Sequence, residues 1–136
     1  YSKSQVLPFY KINEKVTLLY SKQKINYNNK IFTLIGRIGV YRHIFSILKH
    51  GDFDLVIPFS TSINGIIIPI CKILKIPVIA SEHTNYKANK DLFWYTFIKK
   101  KIYPWANYIT VLTERDKNEF YLTRLNKFLL LVFFGL

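Results

Sequence analysis

The sequence contains no methionine and a single cysteine among its 136 residues. That cysteine, Cys71, stands inside an apolar segment, so a disulfide framework and a cysteine-based metal cluster are both excluded. Because free cysteine is among the most frequently buried residue types, we expect a buried thiol rather than a nucleophile. The three histidines lack the spacing of zinc motifs, and no metal site is predicted.

Long hydrophobic runs and start signals are also lacking. The longest apolar runs, Ile66–Cys71 and Phe128–Leu136, fall short of the ~20 residues that a membrane-spanning helix needs, which predicts a soluble or peripheral protein. The chain has neither an initiator methionine nor a signal peptide, so it is expected to be a piece of a longer protein. No GxGxxG, Walker A or GxSxG pattern occurs, which argues against dinucleotide-binding, P-loop and hydrolase functions.

Acidic residues are scarce: 8 Asp and Glu face 20 Lys and Arg, for a net charge of +12. Such an excess attracts nucleic acid, acidic lipid head groups or phosphorylated substrates. A basic nucleic-acid-binding module without catalysis is therefore one hypothesis, although the lysines are scattered and no RNP, KH or helix-turn-helix pattern appears. Half of the residues are hydrophobic and 17% are aromatic, which is enough for the core of one folded domain.

Short apolar segments alternate with segments of helical periodicity along the chain. This alternation predicts an α/β fold with a parallel sheet. Because an interior proline is costly in a helix, the segment around Pro69 is predicted to start its helix near Gly65. The predicted strands are Val6–Tyr10, Val16–Tyr20, Asp54–Phe59, Pro77–Ala80 and Tyr108–Leu112. The predicted helices are Ile31–Lys49, Gly65–Leu74, Asp91–Tyr103 and a helix from a Thr113 capping box to Tyr121.

A polar cluster follows the strand Pro77–Ala80, and it contains Glu82, His83 and Asn85. Ligands of open α/β sheets bind beyond the carboxyl ends of the strands, so this cluster is the candidate chemical centre. His83 can hydrogen-bond a ligand or transfer a proton, or it is a surface histidine without a role. Glu82 is a weaker candidate, since such a carboxylate is often a cap or an ion-pair partner.

Two further segments each have two possible interpretations, one structural and one functional. Ser60, Thr61, Ser62 and Asn64 follow the preceding strand and either line the same cleft or serve the local turn. The aromatic and basic segment Phe93–Lys101 either belongs to the core or rests at a membrane interface, with Lys99, Lys100 and Lys101 facing anionic lipid.

The segments Ile76-Pro77-Val78-Ile79 and Ser81-Glu82-His83 resemble the middle of the N-terminal domain of family 4 glycosyltransferases, which have the GT-B architecture. The later stretch from Tyr103 to Asp116 resembles the same domain, in which a Tyr and an Ala-Asp/Asn pair lead into a strand and a Thr-Glu-x-Asp helix start. Asp54-Leu55-Val56-Ile57 is similar to the strand before it. The likeness is greatest to bacterial enzymes that build lipid-linked surface glycans.

The resemblance implies one of two Rossmann-like domains, with a parallel sheet and helices on both faces. It implies transfer of a sugar from a nucleotide-sugar to a lipid-linked or surface glycan, with retention of configuration and without a metal or other cofactor. His83 is the implied catalytic residue, approaching the transferred sugar. The implied substrate-binding residues are Glu82, Ser60, Thr61, Asn85 and Thr113.

The same resemblance sets the expected organisation. Residues 1–127 correspond to the acceptor-side domain without its first strand, and residues 128–136 form an atypical apolar tail. A donor-binding C-terminal domain is missing, so the chain alone is expected to be inactive. The expected partners are a nucleotide-sugar, a lipid-linked glycan acceptor and an anionic membrane surface, with no nucleic acid. The expected location is cytoplasmic, peripheral at the inner face of the cytoplasmic membrane.

Overall fold

A computed structural model of the chain describes residues 11–19, 30–83, 93–121 and 128–130. The chain divides into two compact units, Tyr1–Ile44 and Phe45–Leu136. The predicted strand Val6–Tyr10 and the site candidate Asn85 lie outside the described residues. All further elements of the candidate site belong to the second unit.

The described segment of the first unit before the long helix is a turn rather than a strand. The Val16 amide donates to the Asn13 carbonyl at 2.9 Å, and the Asn13 side chain accepts from the Lys15 amide at 2.9 Å. Residues 16–19 form no strand, so the prediction of a strand from Val16 is wrong over this range. The apolar run alone misled the prediction, because a strand needs a paired neighbour and Leu19 is exposed here.

The first helix, α1, runs from Lys30 to His50 and confirms the prediction of a helix over this segment. Its end follows from local chemistry. The His50 imidazole bonds the Ser46 carbonyl at 2.8 Å, which satisfies an otherwise open acceptor in the last turn. At Gly51, an added Cβ would lie 2.8 Å from the Ile47 carbonyl oxygen, so a larger residue would require the backbone to shift.

Three parallel strands form the sheet in the order β1 (Ile79–Ser81), β2 (Tyr108–Val111) and β3 (Phe128–Leu130). Ile79 pairs with Tyr108, and Ile109 pairs with Phe128. The mixed helix-and-strand composition and the parallel pairing confirm the general α/β prediction. The sheet includes the first three residues of the segment that the sequence analysis set apart as a tail.

The predicted strand Asp54–Phe59 is reduced to two isolated parallel bridges, Val56 to Val78 and Phe59 to Ser81. Pro58 explains the interruption, because it has no N–H to donate to a ladder. Its carbonyl still accepts from the Ser81 amide at 2.9 Å. This segment therefore lies beside β1 without being a regular strand.

The second helix, α2, runs from Thr61 to Leu74 and contains Pro69 in its interior. It begins four residues before the predicted start near Gly65, so the sequence argument about the proline was wrong. An interior proline costs about 3 kcal/mol, and burial of one helical face offsets this cost. The buried apolar residues of that face are Ile67, Ile68, Ile70 and Cys71. Cys71 is fully buried, which confirms the prediction of a buried thiol, and burial raises its pKa to about 11.

The aromatic and basic segment is helical, but it contains three kinds of helix. The α-helix α3 covers Phe93–Phe97, a π-helix covers Ile98–Ile102 and a 3₁₀ turn covers Tyr103–Trp105. Gly65 of α2 allows close packing against the π-helix, since an added Cβ would lie 2.6 Å from Cδ1 of Ile98.

The last described helix, α4, spans Glu114–Tyr121 and has the predicted capping residue. The Asp116 amide donates to the Thr113 hydroxyl oxygen at 3.1 Å, and this hydroxyl donates to the Asp116 carboxylate at 2.7 Å. Among the described residues, no helix is long and apolar enough to cross a membrane. The core between α2, the sheet, the 3₁₀ turn and α4 is formed by Ile68, Val78, Ala80, Tyr103, Ile109, Val111 and Phe120.

Candidate functional site

The carboxyl end of β1 adjoins the segment that leads into α2. The Phe59–Ser81 bridge places these two segments side by side, and the Ser60 amide donates to the Ser81 carbonyl at 3.1 Å. The residues after each of these chain ends, Thr61 and Glu82, are thereby brought into contact. The expected meeting of polar residues at this edge of the sheet is present in the structure.

A buried carboxylate organises this edge. Glu82 Oε2 accepts a hydrogen bond from the Thr61 hydroxyl at 2.6 Å and another from the Tyr103 hydroxyl. The Asn64 amide nitrogen donates to the Tyr103 oxygen at 2.9 Å and to the Ser81 carbonyl at 3.2 Å. Thr61, Asn64, Glu82 and Tyr103, which we term the Glu82 network, are each at most 2% exposed. The network joins α2, β1 and the 3₁₀ turn.

The electrostatics of the Glu82 network explain how a carboxylate is tolerated in the core. Burying a polar or charged group is costly unless hydrogen bonds replace water, and the two hydroxyls provide them. Thr61 is the first residue of α2, so the carboxylate also lies near the positive end of a helix dipole. Burial, and next the charge of Glu82, raise the pKa of Tyr103 well above its ordinary value. Tyr103 therefore remains a protonated donor at neutral pH.

His83 follows Glu82 and is exposed. Its Nε2 atom lies 2.9 Å from the Ser81 hydroxyl oxygen, and its ring lies 5.4 Å from the Phe59 ring, centroid to centroid. The Thr110 hydroxyl of β2 lies 3.0 Å from the same Ser81 oxygen. The imidazole is thus held on one side and accessible to solvent on the other, which suits contact with a polar ligand.

Ser60 has a backbone conformation that side chains rarely adopt, with φ 77° and ψ 151°. Residues held in such regions cost of order 1–3 kcal/mol and cluster at functional sites. Ser60 directly precedes α2, and in this conformation its amide donates to the Ser81 carbonyl. The strain is consistent with a site at this edge.

The predicted site residues are distributed unevenly. The structure brings Ser60, Thr61, Glu82 and His83 to one edge of the sheet. Thr113 follows β2, where its hydroxyl caps α4. Thr61 and Glu82 are buried partners of each other, whereas His83 is the exposed member of the group.

Sequence reasoning missed Tyr103 and Thr110 as members of this site. Tyr103 lies 21 residues from Glu82, and Thr110 lies 29 residues from Ser81. Neither helical nor strand periodicity encodes such separations. One signal was available for Tyr103. It directly precedes Pro104, which marks a helix end, and the hydroxyl of a tyrosine at a helix end can reach a neighbouring strand.

Within the described ranges, no group of three His, Cys, Asp or Glu side chains is gathered that could hold a metal ion. The described site offers an exposed imidazole that contacts the Ser81 hydroxyl, next in sequence to a buried carboxylate.

No protein-family model matches the chain. A Campylobacter jejuni protein is 28% identical to it over 109 residues. That protein is named GalNAc-alpha-(1->4)-GalNAc-alpha-(1->3)-diNAcBac-PP-undecaprenol alpha-1,4-N-acetyl-D-galactosaminyltransferase. The aligned region covers 80% of this chain but 30% of the relative. The chain therefore spans less than a third of the length of a glycosyltransferase that acts on a lipid-linked sugar.

Proposed function

We propose that the chain forms the acceptor-side part of a glycosyltransferase. The proposed reaction moves a sugar from a nucleotide-sugar to a lipid-linked glycan, with retention of configuration and without a metal cofactor. The observation that carries this proposal is the exposed His83, fixed by Ser81 at the carboxyl edge of a parallel sheet. Similarity to a transferase that acts on an undecaprenol-linked glycan supports the choice of reaction.

In this proposal, His83 contacts the transferred sugar. The Glu82 network joins α2, the end of β1 and the 3₁₀ turn next to the histidine. Glu82 and Thr61 are buried, so we propose that they support the site without touching the sugar. Ser60, Asn85 and Thr113 are proposed to line the acceptor side of the cleft. The donor diphosphate is proposed to bind a second domain, and the part of the relative outside the aligned 30% is long enough to contain one.

Replacing His83 with alanine tests the proposed role of the imidazole. In a protein that combines this chain with a donor-binding domain, we expect kcat/KM to fall about tenfold to a hundredfold, the range of one or two lost polar contacts in the transition state. The assay follows transfer from a panel of nucleotide-sugars to polyprenyl-diphosphate-linked glycans. This chain without a donor-binding domain is expected to show no turnover.

The control is His43→Ala in α1, which removes an imidazole that belongs to the first unit. It should leave kcat/KM within about twofold of the unsubstituted protein. Equal losses in the two variants would count against a specific role for His83. Robust turnover by this chain alone would contradict the proposal that a second domain supplies the diphosphate site.

An exposed surface of the second unit suits a membrane. Phe93 and Trp94 are 73% and 69% exposed, and Phe97 is 39% exposed. Their rings contact one another, with centroids 5.7 to 6.4 Å apart. Lys100 and Lys101 follow on the π-helix and are exposed. We term these five residues the aromatic–lysine patch.

The aromatic–lysine patch combines the two features of an interfacial anchor. Exposed aromatic rings enter the boundary between lipid head groups and acyl chains, and adjacent lysines attract an anionic surface at about 1 kcal/mol each. Lys99 does not belong to the patch, because it is 4% exposed and its Nζ lies 5.9 Å from the centre of the Phe120 ring. Of Lys99, Lys100 and Lys101, the latter two are thus available to lipid. We propose that the protein acts in the cytoplasm, peripherally at an anionic membrane.

Vesicle co-sedimentation tests this attachment. Binding to vesicles that contain phosphatidylglycerol should exceed binding to phosphatidylcholine vesicles and decrease as salt rises. Replacing Lys100 and Lys101 with glutamine should weaken binding about tenfold or more, given about 1 kcal/mol for each lysine. The matched control is the double variant Lys49→Gln and Lys72→Gln, which removes the same charge from exposed positions elsewhere.

Equal loss in the two double variants would show that net charge, rather than the aromatic–lysine patch, drives the binding. Equal binding to neutral and anionic vesicles would contradict the electrostatic part of the proposal. Stronger binding to arbitrary RNA or DNA than to either vesicle would favour the nucleic-acid-binding hypothesis instead.

A further inference from the structure

Three polar side chains are connected in a row at the carboxyl edge of the sheet. The Thr110 hydroxyl oxygen lies 3.0 Å from the Ser81 hydroxyl oxygen, which lies 2.9 Å from Nε2 of His83. Thr110 and Ser81 are buried, at 6% and 2% exposure, while His83 is exposed. We term Thr110, Ser81 and His83 the hydroxyl row. The position of its protons decides what His83 offers to a ligand.

The direction of the row follows from the protons that must be accommodated. If Ser81 donated to Thr110, Ser81 would accept from a protonated Nε2, and the Thr110 proton would lack an acceptor among the described residues. A buried donor without an acceptor costs free energy. If Thr110 donates to Ser81 and Ser81 donates to Nε2, each hydroxyl proton has an acceptor. The second arrangement is therefore favoured.

We infer that Thr110 and Ser81 are positioning residues that hold neutral His83 in the tautomer protonated on Nδ1. Nε2 then accepts from Ser81, and the Nδ1–H group is the donor that remains for a ligand. Among the described residues, Nδ1 of His83 has no hydrogen-bond partner. The row fixes the tautomer from two different strands, since Ser81 ends β1 and Thr110 lies in β2.

This inference, which rests on the proposed function for its ligand, specifies what His83 recognises. A donor at Nδ1 matches an acceptor atom of a sugar, such as a hydroxyl, ring or amide carbonyl oxygen. The neutral imidazole in this tautomer does not act as a general base towards that ligand, because its basic nitrogen is bound to Ser81. His83 therefore recognises and orients the sugar rather than removing a proton from it.

Imidazole ¹⁵N chemical shifts measured on this chain decide the tautomer directly. Long-range ¹H–¹⁵N correlation spectra, recorded near pH 8.5 where an ordinary imidazole is neutral, distinguish a protonated from an unprotonated nitrogen. We expect the Nδ1–H form of His83 to exceed the Nε2–H form about fivefold or more, the ratio that corresponds to the low end of the cost of one unsatisfied buried donor. A predominant Nε2–H form would overturn the inference.

His50 provides an internal reference, because its Nδ1 lies 2.8 Å from the Ser46 carbonyl, which can only accept. The Ser81→Ala variant should return His83 to a mixture of tautomers and leave the His50 signals unchanged. An unchanged His83 tautomer in that variant would also overturn the inference. If the variant does not fold, the unsubstituted chain alone decides the question.

The tautomer measurement does not depend on catalysis. A predominant Nδ1–H form together with an inactive completed enzyme would contradict the glycosyltransferase proposal and support the positioning role of the hydroxyl row. An active enzyme with a predominant Nε2–H form would support the proposed function and overturn the role of the row.

Discussion

Replacing Glu82 with alanine is expected to lower the free energy of unfolding by about 2–6 kcal/mol. The substitution removes the acceptor of two buried hydroxyl donors, those of Thr61 and Tyr103. Each buried donor left without a partner costs about 1–3 kcal/mol. Because small domains have total stabilities of about 5–15 kcal/mol, this single change is expected to reduce the folded population strongly. Urea denaturation, followed by circular dichroism, measures the loss.

Two variants make this experiment specific. Asp54→Ala removes an exposed carboxylate from the same unit and should change the stability by no more than about 0.5 kcal/mol. Glu82→Gln keeps an oxygen acceptor but removes the charge, so its stability should lie between those of the unsubstituted chain and Glu82→Ala. A Glu82→Ala protein as stable as Asp54→Ala would show that the buried carboxylate does not hold this edge together.

Replacing Tyr103 with phenylalanine is expected to cost about 2–3 kcal/mol at pH 7. The ring remains stacked on Phe120, 5.8 Å away, so the substitution removes the hydroxyl alone. Glu82 then loses one of its donors, and the Asn64 amide loses one of its acceptors. Hydrogen bonds to charged groups contribute about 1.5–3 kcal/mol, which sets the expected size.

The same variant should change how stability depends on pH. The pKa of Tyr103 is raised in the folded state by burial and by the Glu82 charge, whereas an unfolded tyrosine has a pKa near 10. Above that pH the unfolded chain releases the phenolic proton and the folded chain keeps it, so the unsubstituted protein loses stability as pH rises. The expected loss from this group is about 1.4 kcal/mol at pH 11.

The stability difference between the unsubstituted chain and Tyr103→Phe should therefore be smaller at pH 11 than at pH 9. Denaturation curves at the two pH values measure it, with Tyr108→Phe as the matched control at an exposed position. A difference that stays constant, or that grows with pH, would contradict a protonated, buried hydroxyl at Tyr103.

The sequence patterns that predicted structure correctly were local ones. The apolar periodicity of α1, the β-branched run of β2 and the capping box of α4 are each formed by residues within a few positions of one another. Such patterns depend on backbone preferences and on nearby side chains, so a single sequence displays them. The position of His83 after β1 could be predicted for the same reason.

The errors arose where distant contacts override local preference. Pro69 is tolerated within α2 because neighbouring residues of that helix are buried in the core. Pro58 interrupts the predicted strand, yet its carbonyl still bonds Ser81 of β1. The residues 16–19 have a strand-like composition but no strand. In the first two cases, contacts with residues remote in sequence decide the structure. For residues 16–19, no paired strand is found among the described residues.

In the candidate site, too, local features could be predicted from the sequence, whereas contacts between distant residues could not. The exposed histidine could be identified from its place after a strand, and Ser60 and Thr61 could be placed at the same edge. Tyr103 could not, because its link to Glu82 depends on how a helix end packs against the sheet. The burial of Glu82 was equally inaccessible to the sequence, since a carboxylate after a strand is usually exposed to solvent.

The π-helix Ile98–Ile102 lets this segment hold one residue more than a continuous α-helix would. Its hydrogen bonds close from residue i to residue i+5, one position farther than in an α-helix. Removal of one residue between Phe97 and Tyr103 is therefore expected to leave a continuous α-helix with Tyr103 still beside Glu82, whereas the loss of a residue from a regular α-helix turns every later side chain by about 100°. The segment thus tolerates a change of one residue in length without displacing the Glu82 network.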